Sequence, residues 1–372
     1  MRYDWGRVYS LPLPMPMIKL PGLIDPHVHL REPGQTHKED WDSGTASALA
    51  GGVTLVLAMP NTQPPIFDAA TLDLVLNAAK FKARCDYAQF LGAGPGNANW
   101  DQQAGLPERA AGLKMYLDST FGELRLDDMT LWRSHFEAWP MSLPIVAHSE
   151  SRSMAAVILF AAIHNRPVHI AHISLKEEVL LIKAAKERRI KVTCEVAPHH
   201  LFLTKDDIPS ISQGHPGRGE VRPRLATKED VEALWENLDV IDCFATDHAP
   251  HTLTEKDGDK APPGFPGLET MLALLLTAVN DGRLTMDDII QRSVINPRRI
   301  FNLPEQPETW LEVDEIASYE IRGDQMYSRC GWTPFEGWRV KGRLKKVVLR
   351  GKTAFNDCMV LAEPGYGMNV RG

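Results

Sequence analysis

The stretch Gly22-Leu-Ile-Asp-Pro-His-Val-His-Leu-Arg-Glu-Pro-Gly34 decides how the rest of the chain is read. It opens as a short apolar run and ends in two histidines one residue apart, with an arginine two places further on. Residues two apart on a β-strand point to the same side. His27 and His29 can therefore offer both imidazoles to one metal ion from the end of a single strand. Pro33-Gly34 then closes the strand into a loop. Alone, a His-X-His pair reads equally well as two hydrogen-bonded polar residues at a strand end. Further ligands elsewhere in the chain decide between the two.

Outward from this stretch, short apolar strands alternate with amphipathic helices. Residues 41–50 are expected to be helical, stopped by Gly51-Gly52, and Val53 to Met59 forms a β-branched, uncharged strand ended by Pro60-Asn61. Asp68 is placed to cap a helix running to about Arg84, with Leu72, Val75, Leu76 and Ala79 as its apolar stripe. Further strands are expected at Tyr87–Ala93, Leu113–Leu117, Ile145–His148, His169–Ile173, Ile190–Val196 and Asp242–Ala245, with a clear helix over Lys176–Arg188. About eight such strands argue an α/β protein whose parallel sheet is covered on both faces. Closure into a (β/α)8, TIM-like barrel over residues 18–300 is the economical arrangement, since no GxGxxG turn supports a doubly wound sheet. Past residue 300 the pattern changes to pieces such as Lys346-Val-Val-Leu-Arg350, with Trp310, Trp332 and Trp338 among turns. Residues 1–17 and 301–372 are read as terminal segments forming a small β-rich appendage, the run Leu11-Pro-Leu-Pro-Met-Pro-Met17 being an extended leader or linker.

Composition sets the class. The chain has 372 residues, 44% hydrophobic and 24% charged, as an ordinary globular protein does. A formal net charge of −7 gives no general attraction to nucleic acid or to an acidic membrane. Cys85, Cys194, Cys243, Cys330 and Cys358 are scattered and without a CxxC, which fits reduced thiols in the cytoplasm. Residues 1–17 contain no uninterrupted apolar run, so neither a signal peptide nor a membrane span is expected.

Barrel active sites lie at the C-terminal ends of the strands. The first strand ends in His27 and His29, the second in Asn61, the fifth in His148, and the eighth in Asp247-His-Ala-Pro-His251. The fourth contains Lys114 in an otherwise apolar segment, where an unpaired ammonium is costly; an ion pair with a buried carboxylate is its plain explanation. The sixth carries His169 and His172, which, three apart on a strand, point to opposite faces, so that only one is expected inside the barrel and the other is expected to serve structure. Four histidines and an aspartate converging on one rim, with no thiolate, suit Zn2+ or a similar divalent ion. The lysine makes chemical sense if CO2 has converted its neutral amine into a carbamate, an anion able to bridge two cations about 3.5–4 Å apart. The reaction class implied is hydrolysis, or its reverse, at a carbonyl carbon. Arg31, on the strand face of His29, can hold a carboxylate bidentately.

The strings GLIDPHVHLREPG, AMPNT, GLKMYL, IVAHSE, CEVAPHHLFL, TDHAPHT and PPGFPGLET, with the later WTPFEG and PGYG, narrow the reading. From about residue 18 onward the chain resembles the dihydroorotases of the amidohydrolase superfamily, and among them the dihydroorotase domain of the animal multifunctional pyrimidine-synthesis protein. The resemblance implies reversible cyclisation of N-carbamoyl-L-aspartate to L-dihydroorotate in de novo pyrimidine biosynthesis. It implies two Zn2+ bridged by N6-carboxylysine at Lys114, with His27, His29 and Asp247 on one ion and His148 and His172 on the other. Asp247 would be the catalytic proton carrier. Arg31, Asn61, Arg222 and His251 would bind substrate, and Thr120 and Phe121 would belong to a loop closing over it. The resemblance further implies a homodimer and fusion to, or association with, carbamoyl-phosphate synthetase and aspartate transcarbamoylase.

Two departures stand out. Ala171 occupies the place before His172 where the animal domain is expected to have cysteine, which tells against an additional metal there, and Arg224 replaces an expected acidic residue. Glu195, His199 and His200 are candidates to support the ligands from behind. Two other readings share the ligand set: a cyclic-amide hydrolase of the dihydropyrimidinase or allantoinase type, which lacks the arginine after His-X-His, and a non-catalytic scaffold, against which the complete ligand set argues.

Overall fold

The computed structural model describes residues 17–103, 105–120, 122 and 124–372. The leader expected over residues 1–17 thus lies outside the described residues except for Met17, and so does Phe121.

Strands β1 (Met17–Pro21), β2 (Leu23–Val28), β3 (Val53–Ala58), β4 (Asp86–Gln89) and β5 (Leu91–Gly92) are followed by β6 (Leu113–Tyr116), β7 (Ile145–His148), β8 (Val168–Ile170), β9 (Val192–Val196) and β10 (Cys243–Phe244). From β2 to β10 all pairings are parallel, in two ladders, β2-β3-β4 and β5 through β10 in chain order. Only Phe90 separates β4 from β5, and its N–H donates to the Ala58 carbonyl at 2.9 Å, so the two pieces serve as one stave. The ring closes where Val28 pairs with His248 and the His29 N–H donates to the His248 carbonyl at 2.8 Å. Eight staves in sequence order make the TIM-like barrel.

Alternation along the strands sorts side chains to the two sides. Leu55 and Leu57 of β3 join Ile24, Phe90, Val146 and Phe301 in one apolar cluster, whereas Val56 and Ala58 pack into the larger cluster shared with the helices. Every residue of β2 and β3 is buried, as two covered faces require. The helix Trp41–Ala50 starts at Asp40, whose carboxylate takes the Ser43 N–H at 2.9 Å. It stops at Gly51, where a Cβ would stand 2.0 Å from the Leu268 carbonyl oxygen. The helix Ala69–Lys82 is capped by Asp68 as expected and ends two residues earlier than the sequence suggests, because Ala83 is extended.

A five-stranded antiparallel sheet stands beside the barrel, ordered β1, β11 (Trp310–Glu320), β12 (Arg339–Leu349), β13 (Lys352–Asn356) and β14 (Met359–Val360). Met17–Pro21 pairs with Trp310–Asp314, tying the start of the described chain to its C-terminal part. Between β11 and β12 the WTPFEG turn buries Trp332 and Phe335 against Val221, Leu225 and Phe265 near the barrel mouth. Among the described residues no helix is long and apolar enough to cross a membrane.

Candidate metal centre

His27 is the penultimate residue of β2, and His29 follows the strand directly, so both rings reach the barrel mouth from one stave. Among the described residues, ligand atoms of His27, His29 and Asp247 all lie within 4.8 Å of one another. Asp247 Oδ1 is 3.4 Å from His27 Nε2 and 3.3 Å from His29 Nε2. The far nitrogens are held from behind: His27 Nδ1 meets Glu195 Oε1 at 2.5 Å and His29 Nδ1 meets Asn61 Oδ1 at 2.7 Å. With these oxygens as acceptors, each Nδ1 carries the proton and each Nε2 directs its lone pair at the shared point.

His148 and His172 lie next to this group, with His148 Nδ1 and His172 Nε2 2.8 Å apart and the His172 ring 5.2 Å from that of His27. Lys114, in the middle of β6 and fully buried, brings Nζ to 3.4 Å from His27 Nε2. Arg31, His172 and Asp247 have φ of +61°, +32° and +46°, a region that non-glycine residues rarely occupy. Each such residue costs about 1–3 kcal/mol, and clustering at one mouth is a mark of a functional site.

Electrostatics prepare the group for a cation. Burial pulls the imidazoles of His29, His148 and His172 well below their usual range, and that of His27 down as well, so all four are neutral bases near pH 7. Burial raises the Asp247 carboxyl. Burial also pulls the Lys114 ammonium down to about 8, which leaves neutral amine available for CO2 at physiological pH. Burial would raise Glu195, yet His27 and hydrogen bonds from His169 and His27 hold it ionised. Neutral nitrogen donors, a carboxylate and an amine able to become a second anion fit a pair of borderline divalent ions.

His27, His29, Arg31, Asn61, Thr120, His148, His172, Arg222 and Asp247 line one cavity of about 350 Å3, together with Tyr116, Ala249, Pro263 and Gly264. Lys114 lies beneath this lining. Arg31 is buried, its Nε donating to the Pro250 carbonyl at 3.1 Å and its Nη2 3.0 Å from His251 Nε2, so His251 stands behind Arg31 and not in the lining. Asn61 turns its carbonyl oxygen to His29 as well as lining the cavity. Arg222 is half-buried and braced by Glu220 Oε2 at 3.0 Å.

The expectation for His169 and His172 needs correction. β8 ends at Ile170, and the positive φ of His172 turns its ring inward, so both histidines lie inside. His169 contacts Glu195 Oε2 at 3.1 Å and Thr193 Oγ1 at 2.8 Å, which makes it a support for Glu195. Glu195 thus holds His27 directly, with both oxygens engaged, while the neighbouring Ala171 offers no donor. Tyr116 on the cavity wall was not foreseen; its place two residues after Lys114, on the same strand face, was the available signal.

Comparison with known proteins gives the family. The amidohydrolase family model matches residues 18–309. The multifunctional protein CAD of Squalus acanthias is 58% identical over 355 residues, covering 95% of this chain and 16% of that protein, so the chain spans about a sixth of its length. A dihydroorotase of Pyrococcus furiosus is 37% identical over 366 residues, covering 93% of this chain and 83% of the enzyme. Among solved structures, the inactive dihydroorotase-like domain of a Chaetomium thermophilum CAD-like multifunctional protein superposes with a TM-score of 0.81 at 29% identity, covering 95% of this chain and 99% of that one. The chain belongs to the amidohydrolase family, and within it to the dihydroorotases.

Proposed function

We propose that this chain is an active dihydroorotase, interconverting L-dihydroorotate and N-carbamoyl-L-aspartate with two zinc ions that carboxylated Lys114 would help to hold. The observation that supports it most is the combination at one barrel mouth of the His27–His29–Asp247 group, a buried amine 3.4 Å from His27, and Arg31 on the same cavity wall. In this reading His27, His29 and Asp247 hold one ion, and His148 and His172 the other. Bound there, zinc supplies Lewis acidity, polarising a carbonyl and lowering the pKa of water.

The chain's own residues do the remainder. Lys114 as the free amine adds to CO2 through Nζ and releases a proton, giving the anion that balances the site. Asp247 is placed to move the proton: in hydrolysis it takes one from the attacking water and passes it to the leaving ring nitrogen. In synthesis it takes one from the ureido nitrogen before that nitrogen closes on the carboxyl carbon. Burial raises the Asp247 carboxyl, which makes it a better base than a solvated aspartate once ionised. Arg31 and Arg222, both on the cavity wall, are the cations that receive the substrate carboxylate, with His251 orienting Arg31 from behind and Asn61 on the wall to help hold the ring. Thr120, on the cavity wall, would close over bound substrate and exclude water, which favours a condensation.

The test measures zinc content and turnover on one preparation. About two zinc ions per chain with conversion in both directions is the expected result; a folded chain that binds no zinc and forms no dihydroorotate contradicts the proposal. The same reading makes the protein a homodimer that works in the reducing cytoplasm, in keeping with five unpaired cysteines. It also links the chain, by fusion or association, to carbamoyl-phosphate synthetase and aspartate transcarbamoylase modules.

A further inference from the structure

Lys256, the last residue of the short helix Leu253–Lys256, is completely buried and has no part in the chemistry above. Its ammonium donates to three main-chain carbonyls: Glu220 at 2.7 Å, Pro262 at 3.0 Å and Gly264 at 3.2 Å. An ammonium has three donors, and here three acceptors fill them. The rings of Phe265 and Trp332 lie 5.7 and 5.6 Å from Nζ. A buried cation is tolerated only with such compensation.

The three carbonyls belong to two separate stretches of the cavity wall. Glu220 leads into Arg222, and Arg222 lines the cavity; Pro263 and Gly264 line it from the other stretch. A main-chain bond from Gly264 N–H to the Glu220 carbonyl, 3.0 Å, joins the same two stretches. His251 belongs to this joint too. Its Nδ1 lies 3.1 Å from Lys38 Nζ, and its Nε2 lies 3.1 Å from the Pro263 carbonyl oxygen and 3.0 Å from Arg31 Nη2. The His251 carbonyl in turn receives the indole N–H of Trp332 at 2.8 Å, so the WTPFEG turn, unused by the reaction itself, ends at this point.

We propose that Lys256 is a positioning residue for substrate binding: its ammonium fastens the Glu220–Arg222 stretch to the Pro262–Gly264 stretch and so fixes the spacing between Arg222 and the glycine side of the cavity. This rests on the reading of that cavity as the substrate site. Lys256 touches no reacting atom. An apolar residue of similar length would leave the Pro262 and Gly264 carbonyls without this donor and the Glu220 carbonyl with the Gly264 N–H alone, and the two stretches would part to reach water. The loss falls on contacts common to bound substrate and transition state, so KM rises while kcat is retained.

Lys256→Met in the zinc-loaded full chain tests this. The expected result is a KM for dihydroorotate at least tenfold higher, kcat within threefold, and unchanged zinc content. Amide hydrogen exchange should be at least tenfold faster over residues 217–222 and 262–265 and unchanged over β3 and β6. KM and exchange both within twofold of the parent overturn the proposal, as does a fall in kcat and zinc content with KM unchanged. Should Lys256→Met not fold, Lys256→Arg replaces three converging donors by a planar fork and is read by the same measurements. If the parent chain turns over no dihydroorotate, the functional reading fails, and hydrogen exchange alone decides the role of Lys256.

Discussion

Glu195 stands 2.5 Å from Nδ1 of His27, on the far side of the ring from Asp247. That contact sets the tautomer and the direction of the nitrogen that faces His29 and Asp247 at the candidate metal centre. Partners of this kind change metal affinity or activity by roughly 10–100-fold when removed. Glu195→Gln, which keeps the shape but weakens the acceptor, is expected to lower zinc affinity by about tenfold or more in a chelator competition. His169→Ala should act in the same direction and less strongly, because it acts through Glu195. Zinc affinity unchanged in both variants would remove the proposed role.

Arg31 separates the dihydroorotase reading from that of a hydrolase for uncharged cyclic amides. Its guanidinium is buried at the cavity wall, and losing a buried charge-assisted contact costs about 2–5 kcal/mol. Arg31→Ala is expected to lower kcat/KM for dihydroorotate by roughly 10²–10³-fold in steady-state assays. Activity on dihydroorotate retained in this variant would favour the other hydrolase class.

Glu269 gives a pH-dependent stability. Its carboxylate accepts the Tyr327 and Ser328 N–H groups, each at 3.0 Å, and the Ser47 hydroxyl at 2.8 Å, yet burial raises its pKa to about 7. The folded chain therefore keeps the proton to higher pH than the unfolded chain does. Unfolding free energy falls as pH rises from about 4.5 to about 7, by order 1–3 kcal/mol, and that part of the slope stays flat outside the window. Glu269→Gln should remove this part of the slope in urea titrations at pH 5 and pH 8. An unchanged slope would show that the carboxyl is already ionised at the lower pH.

Asp86 fastens the C-terminal segment to the barrel. Its carboxylate receives Arg350, the Gln306 amide at 2.8 Å and the Met368 N–H at 3.0 Å. Asp86→Ala strands a partly buried arginine and two other donors, and is expected to cost about 3 kcal/mol in denaturant titration. Zinc content should be unaffected, since Asp86 sits at the opposite end of its strand from the barrel mouth. A loss below about 0.5 kcal/mol would mean the clasp contributes nothing beyond a surface ion pair.

The ligand histidines, Lys114 and Asp247 were legible because strand periodicity and the barrel's polarity both act over a few residues. His27-X-His29 needs only the two-residue repeat of a strand. The split of the third stave at Phe90 and the inward turn of His172 were not legible, since both depend on where neighbouring staves stop. Glu195 was read as a support for the ligands, but that its partner is His27 was out of reach for a different reason: the contact joins two staves that are distant in sequence and meet only once the barrel exists. Asn61 was read as a substrate contact, and its bond to His29 appears only when β2 and β3 lie side by side. Lys256 gave no signal at all, because its three acceptors are main-chain carbonyls that every sequence possesses.

The most direct measurement is an electron-density map of residue 114 from crystals grown with zinc and bicarbonate. The account predicts a carboxylate on Lys114 Nζ touching two zinc ions, one beside His27, His29 and Asp247 and the other beside His148 and His172. An unmodified amine turned away from the imidazoles, with no cation bound, would contradict it.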